Sequence, residues 1–559
     1  MVDCAESNPV KKSRRRKATP PKAAAALRRR KPRRSEPVDQ RQSATGEPLE
    51  LTLYLRHRNA VRRPGSAADL RELTRPVSTA ELAKERSKLL ARPVAQIRRF
   101  AKRHRMRVTE VDFLRRRVKL RADAKDAERA FGTRLQEVEI AGTRSRCPAQ
   151  KPKLPRELAG ILHAVLGLDE RSRLGLRNHA AANGQGGLYP SEIARLYRIA
   201  AARGGAGQCV ALIEPSGGYT QEDVVTACHA MNLPVPRIFD INVGTGRNAF
   251  GANAAGDEEV SLDVQVIAGV APQADIAVYF TESNEEGLVA GLVEAIHDDT
   301  HRPGVIVITW GEPEVFWPEQ ARKGLDAALN DALRRGITVV AASGDDLATE
   351  RMTDGRVHVD YPASSPYVLG CGGTKLELDP AQTSIIDEIV WNDGTRGTGG
   401  GISDIYQTPA YQRVITLPPS LNDAKRRRGV PDVAAAAAPV NGYRVVLRGS
   451  EIGGSGTSAV APLWGALIAL ANAERSRPLG FINSWLYQNR ALLKAIVSGN
   501  NADLLSQKGY PAGGEWNACT GLGSPGATLV AALTNANTDQ IPSLDLMADR
   551  SESASASSG

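Results

Sequence analysis

Ser458 stands in the stretch EIGGSGTSAVAPLWGALIALAN, residues 451–472, framed by Gly453, Gly454 and Gly456 and followed by an apolar run with helical character. Glycine permits close backbone approaches that a side chain forbids, so such a frame can hold a hydroxyl at the mouth of a helix with room for a ligand. A serine hydroxyl becomes a useful nucleophile only when a neighbour takes its proton. The same residues also fit an ordinary helix start, with Thr457 or Ser458 as the N-cap.

Histidine is the usual base for such a serine, and the chain has 8. His57, His104 and His163 fall in a basic N-terminal part, His179 in a connecting stretch, and His229 and His297 in helical patterns; none of the 8 is followed by glycine. Gly456-Thr457-Ser458-Ala459-Val460 also departs from the G-x-S-x-G nucleophile turn. Carboxyls are the other source of a base. Glu259 and Asp263, in GDEEVSLDVQVIAGVAPQ, are four residues apart in a helical pattern and share a face. Two adjacent carboxyls cannot both ionise cheaply, so one keeps a proton above its ordinary pKa, and the pair can exchange protons. A solvated acidic helix start is the alternative for Asp257, Glu258 and Glu259, less so for Asp263 between Leu262 and Val264. Asp345 closes ITVVAASGDD, where it can cap a turn or, protonated, donate a hydrogen bond to an oxyanion.

The elements around these residues read as an α/β fold. CVALIE, ADIAVYF, GVIVITWG, ITVVAAS and YVLGCGG are Val/Ile-rich runs of the kind that form a parallel sheet buried on both faces. EEGLVAGLVEAIHD and ARKGLDAALNDALRRG have helical spacing between them. In a doubly wound sheet, ligands bind beyond the carboxyl ends of the strands, where TWGEPE and SGDD fall. Ahead of this lies a β-α-α-β-β-α-β order from LELTLYLRHR to RLQEVEIAG, which predicts a small two-layer α+β unit of ferredoxin-like type.

A chain of 559 residues exceeds one hydrophobic core, and its charge is unevenly divided. Residues 1–178 hold 46 Lys and Arg against 20 Asp and Glu, while residues 179–559 hold 27 against 42. Two such blocks can attract each other within one molecule, and a basic block can also grip nucleic acid. The 6 cysteines show no metal-ligand spacing and suggest no disulfide scaffold. No apolar run has transmembrane length, and the first 35 residues lack the apolar core of a secretory signal. Residues 1–45 and the tail from 535 are too poor in large apolar side chains to order.

Taken in order, Glu259-x-x-x-Asp263, Ser-Gly-Asp345 and Gly-Thr-Ser458-Ala-x-x-Pro resemble the sedolisin or serine-carboxyl peptidase family, its kumamolisin branch most closely. IEPSGGY, APQADIAVYF, TWGEPE, HVDYPASSPYVLGCGGT, WNDG, GGGIS, RGVPDV and CTGLGSP carry the likeness through most of residues 47–534. The resemblance implies an acid-active endopeptidase with a subtilisin-like fold, made as a zymogen. By position it implies Ser458 as nucleophile, Glu259 as base, Asp263 as the carboxyl that shares protons with it, and Asp345 as oxyanion donor. It further implies that Glu214 and Trp310 extend the hydrogen-bond chain, that Asp360 shapes a substrate subsite, and that Gly399, Gly400 and Gly401 lie along substrate backbone.

The implied organisation is a basic leader (1–45), an inhibitory prodomain (46–170), a processing linker (171–187), a peptidase domain (188–534) and a tail (535–559). Expected partners are protein or peptide substrates and the chain's own prodomain, in a monomer with no membrane or nucleic-acid partner. The alternatives are a catalytically silent peptide binder and a nucleic-acid binder acting through the basic leader. Export would follow from the resemblance, although the N-terminus offers no export signal. Two departures stand out near the site: GDDL in place of a Gly-Asp-Ser-Gly-like loop, and AAAAAP where an Asp normally precedes the Pro. A third concerns the calcium site that the resemblance implies near the C-terminus. Ala495 and Asn517 stand where its two aspartates belong, so no cofactor and no tight calcium are expected.

Overall fold

The computed structural model describes residues 48–56, 77–140, 143–171 and 187–536, which form two units with separate cores. The expected basic leader and nearly all of the processing linker and C-terminal tail lie outside the described residues.

The N-terminal unit is an antiparallel four-stranded sheet, ordered β2-β3-β1-β6, built from β1 (Leu49–Leu55), β2 (Arg107–Asp112), β3 (Arg117–Ala122) and β6 (Leu162–Leu166). Its two longer helices are α1 (Thr79–Arg103) and α2 (Ala124–Phe131). Ser78 and Glu81 form a capping box at the start of α1, and Leu82, Leu90, Val94, Ile97 and Phe100 make its buried stripe. The sequence predicts two helices here, broken near Pro93; the structure has one, running through the proline. The carbonyl deprived of its donor belongs to Leu89, which is 54% exposed, so water can serve it. A second difference concerns the last strand. RLQEVEIAG forms β4 (Leu135–Ile140), which pairs only with β5 (Thr143–Pro148) in a separate hairpin, and the sheet takes β6 instead.

The large unit is built on an eight-stranded sheet. Its path is β13-β12-β11-β10-β7-β9-β8, with β14 on β12, where β7 is Cys209–Glu214, β8 Ile238–Asn242, β9 Asp275–Phe280, β10 Val305–Ile308, β11 Thr338–Ala342, β12 Leu369–Leu378, β13 Ile385–Val390 and β14 Val433–Ala436. Only β12 and β13 pair antiparallel. The central strands are buried on both faces because alternate residues enter different cores: Val210 and Leu212 of β7 join one cluster, Ala211 and Ile213 the other. Helices α3 (Ala254–Val270) and α6 (Thr457–Ala473) cover the first face, α4 (Glu285–Ile296) and α5 (Glu319–Arg334) the second. Helix α6 lies very close to the sheet; a Cβ at Gly465 would stand 2.7 Å from Val307 Cγ2.

The N-terminal unit sits on α4 and α5, with Tyr54, Ala164 and Leu166 packed into the second core. Its arginines meet carboxylates of the large unit. Arg86 Nη2 donates to Asp331 Oδ1 at 2.6 Å, Arg116 Nη2 to Asp331 Oδ2 at 2.9 Å, and Arg115 and Arg117 to Glu294 at 2.9 and 3.0 Å.

Candidate active site

The carboxyl ends of three neighbouring strands deliver most of the polar groups. Glu214 ends β7, Thr309 and Trp310 follow β10, and Asp345 follows β11. From the face above, α3 contributes Glu259 and Asp263, one turn apart, and α6 begins with Thr457 and Ser458. Glu259, Asp263 and Ser458 are each 0% exposed. Asp257 is buried as well and only Glu258 of the acids at the helix start is partly exposed, so that start is not a solvated acidic face, and Glu259 and Asp263 share one side of the helix as the spacing predicts.

A chain of carboxyls runs through the site. Trp310 Nε1 donates to Glu214 Oε2 at 2.8 Å, Glu214 and Asp263 lie carboxyl to carboxyl, and Thr309 Oγ1 donates to Asp263 Oδ2 at 2.8 Å. Burial is the main force on all three acids. It pushes Glu214 up to about 7 and Glu259 up to about 8, and Asp263 is driven well above its ordinary value by burial and then by the charges of Glu214 and Glu259. The Ser458 hydroxyl is the largest influence opposing the rise at Glu259. Ser458 Oγ and both Glu259 oxygens are nevertheless buried with no partner at hydrogen-bond distance, a loose contact of the kind that tightens when substrate closes a site.

Asp345 is fixed from the serine's own helix. The Thr457 N–H and Oγ1 both donate to Asp345 Oδ1, at 2.7 and 2.8 Å. Gly456, not Thr457 or Ser458, is the N-cap, with φ of 105°, and no side chain caps the helix. Preceding Asp345, Gly344 has φ of 108°, and a Cβ there would stand 2.4 Å from Glu350 Oε1 and 2.7 Å from Asp360 Oδ2. Asp360 thus lies directly behind the Asp345 loop. Gly399 N donates to Gly344 O at 2.8 Å and Gly399 O accepts from Ser343 Oγ at 2.9 Å, while Gly401 pairs with Val430. Gly399 therefore ties its segment to the Asp345 loop, and Gly400 and Gly401 continue it past the site.

Thr309 and Ser343 have no role in the sequence reading, and Thr457 enters it only as a possible N-cap. The first two adjoin Trp310 and Ser458, and a threonine hydroxyl beside a buried carboxyl is the signal that could have found them. Glu314 is a further omission. It is buried and accepts from Ser403 Oγ and Asp404 N, holding the strand after Gly401 in place.

Near the C-terminus, Asn517 Nδ2 donates to Ile496 O at 3.0 Å, and Asn517 Oδ1 accepts from Cys519 N, Thr520 N and Thr520 Oγ1, each at 3.0 Å. Ala495 brings no side-chain oxygen. An amide N–H aimed at a backbone carbonyl occupies that oxygen with a proton, which is the reverse of what calcium requires.

Residues 36–171 match the family of the pro-kumamolisin activation domain, and residues 245–510 match the subtilase family. Kumamolisin of Bacillus sp. (strain MN-32) is 37% identical over 457 residues, covering 78% of this chain and 82% of that protein. Sedolisin of Pseudomonas sp. (strain 101) is 28% identical over 438 residues, 73% of each chain. Among solved structures, Pseudomonas sedolisin, a serine-carboxyl proteinase complexed with two molecules of pseudo-iodotyrostatin, superposes with a TM-score of 0.56 at 27% identity, over 63% of this chain and 99% of that one. An activation domain followed by a subtilase-type module, and a likeness to kumamolisin along most of both, establish that the chain belongs to the sedolisin family of serine-carboxyl peptidases.

Proposed function

We propose that this peptidase is an acid-active endopeptidase in which Ser458, Glu259, Asp263 and Asp345 carry the chemistry. The Ser458 Oγ attacks the carbonyl carbon of the scissile peptide bond while its proton passes to Glu259. A protonated Asp345 donates to the oxygen that gains negative charge. The tetrahedral intermediate collapses with the C–N bond breaking, Glu259 returns the proton to the departing amine, and water then releases the acyl group from Ser458 by the same steps in reverse.

The observation that supports this most is the placement of Glu259 against Ser458 within a buried set of acids. Asp263, the acid pushed to hold a proton beside both Glu214 and Glu259, lowers the cost of a charge on Glu259 when it does so. A histidine base with a pKa of about 6.5 would be protonated in such media, and so is most of Glu259 at the value burial gives it; it serves as base through the ionised fraction that protonated Asp263 and Glu214 favour. Trp310 and Glu214 act as positioning residues at the far end of the chain, and Asp360 with Gly399–Gly401 flanks the substrate.

The N-terminal unit serves as the intramolecular inhibitor, and the enzyme removes it by self-processing in the connecting stretch. No metal takes part, and the Asn517 amide holds its loop where a cation would in a relative with two aspartates. The test is hydrolysis of an unfolded protein at about pH 4 by the full chain and by Ser458→Ala and Glu259→Gln variants. Both variants are expected to lose at least about 1000-fold in rate. Full activity in Glu259→Gln would remove the base from this scheme.

A further inference from the structure

Asp345 is followed by a second carboxylate, Asp346, which makes the loop read GDDL. Its side chain gathers two arginines. Asp346 Oδ1 lies 2.9 Å from Arg351 Nε and 3.9 Å from Arg396 Nη1, and its side chain is 18% exposed against 50% and 23% for theirs. Arg396 Nη1 is buried and has no hydrogen-bond partner among the described residues. Burial lowers Arg396 to about 10, so it stays charged throughout neutral and acid solution.

Backbone bonds tie this group to the Asp345 loop. Gly397 N donates to Asp345 O and Leu347 N to Gly397 O, each at 3.0 Å, so Arg396 is one residue from the pairing. Glu259 faces Asp345 from α3, Thr457 from α6, and the carboxyls of Glu350 and Asp360 pack against Gly344 just before it. Acids favour a proton on Asp345 and arginines oppose it. Leu347, Glu350 and Arg351 hold φ of 62°, 47° and 53°, a left-handed run without glycine that the Asp346–Arg351 pair also braces.

We propose that Asp346 is a positioning residue for the reaction: by neutralising Arg351 and Arg396 it keeps their charges from driving the proton off Asp345. This rests on the reading of Asp345 as oxyanion donor and deepens it. Donation to a developing oxyanion needs that proton, so its loss shows as a fall in activity on the alkaline side. Together the three side chains carry one net positive charge. Removing the charge of Asp346 leaves both arginines unbalanced, and removing that of either arginine leaves the group neutral. The two kinds of substitution therefore act on Asp345 in opposite directions.

The experiment compares pH–rate profiles of the full chain and of its Asp346→Asn, Arg351→Gln and Arg396→Gln variants on a short peptide substrate. Asp346→Asn is expected to move the alkaline limb to lower pH by about half a unit to one unit, and each arginine variant to move it to higher pH by a similar amount. Asp346→Asn combined with Arg351→Gln restores the net charge and should return the limb to its original place. A mere brace behaves differently: losing either end of the ion pair would lower the melting temperature and kcat alike, and losing both would rescue nothing. Limbs that stay in place, or that move the same way in Asp346→Asn and Arg351→Gln, would overturn the proposal. Because Arg351 is half exposed, Arg351→Gln carries the test alone if Asp346→Asn fails to fold, and an unmoved limb there is enough to refute it. Failure of the underlying reading shows separately, as an unchanged kcat in Asp345→Ala.

Discussion

Thr457 bonds twice to one oxygen of Asp345, through its N–H at 2.7 Å and its hydroxyl at 2.8 Å. The residue next to the proposed nucleophile thereby sets where the proposed oxyanion acid stands, and two donors on Oδ1 leave the carboxyl proton to Oδ2. Asp345→Ala is expected to lower kcat about 100- to 1000-fold. Thr457→Val keeps the shape and the backbone bond but removes the hydroxyl, so kcat should fall about 10-fold with KM little changed. Steady-state kinetics on a short peptide substrate in mild acid separate the two. An unchanged kcat in Asp345→Ala would place the oxyanion donor elsewhere.

The acid cluster also makes a prediction about stability. Glu259 and Glu214 rise on burial from 4.5 to about 8 and about 7, so folding takes up protons. A group raised in the folded state gives its full stabilisation below its unfolded pKa and loses it as pH rises through the folded value, here between about pH 4.5 and about pH 8. Glu259→Gln, compared with Ser458→Ala so that neither digests itself, is therefore expected to melt several degrees higher near pH 8 and at an equal temperature near pH 4. The difference at neutral pH is on the order of 3 kcal/mol. Equal melting temperatures at both pH values would mean that Glu259 is solvated.

How far the sequence reveals this site depends on the range of each interaction. Glu259 and Asp263 are legible because helical spacing alone puts them together, and Ser458 and Asp345 because glycines mark the turns that hold them. The five apolar strands and two helices of the large unit are legible for the same local reason. Strands β8, β13 and β14 are not. IFDIN and IIDEIV carry charge at the sheet's two ends, and VAAA is too short and too alanine-rich to show a strand pattern. Thr309 and Thr457 escape because a hydroxyl's partner is fixed only by tertiary contact, across 46 residues to Asp263 and 112 to Asp345. In the N-terminal unit, a proline suggests a break that exposure to water makes unnecessary, and β6 displaces β4 because strand order is set by packing on α5 rather than by local pattern.

Trp310 tests whether the far end of the acid chain matters. Its N–H bond opposes the rise of Glu214, so Trp310→Phe, which keeps a ring but loses the donor, leaves Glu214 holding its proton more tightly. A Glu214 that keeps its proton relieves Glu259 of a neighbouring charge, so the acidic limb of the pH–rate profile is expected to move to lower pH. A Trp310 that only fills space would lower stability without moving the limb.

The loop around Asn517 should be indifferent to calcium. Asn517 makes four hydrogen bonds that a cation would otherwise organise, one of them a proton placed on the Ile496 carbonyl. Millimolar calcium or a chelator is expected to leave the melting temperature of the Ser458→Ala chain unchanged. Restoring carboxylates with Ala495→Asp and Asn517→Asp together should create the dependence: without calcium, a buried negative charge at 517 and a second at the exposed position 495 repel each other and the loop loses its amide donor, so the melting temperature falls. Added calcium should recover it, because binding to the folded state alone stabilises by mass action. A rise of several degrees in the parent chain on adding calcium would show that its oxygens suffice without the two aspartates.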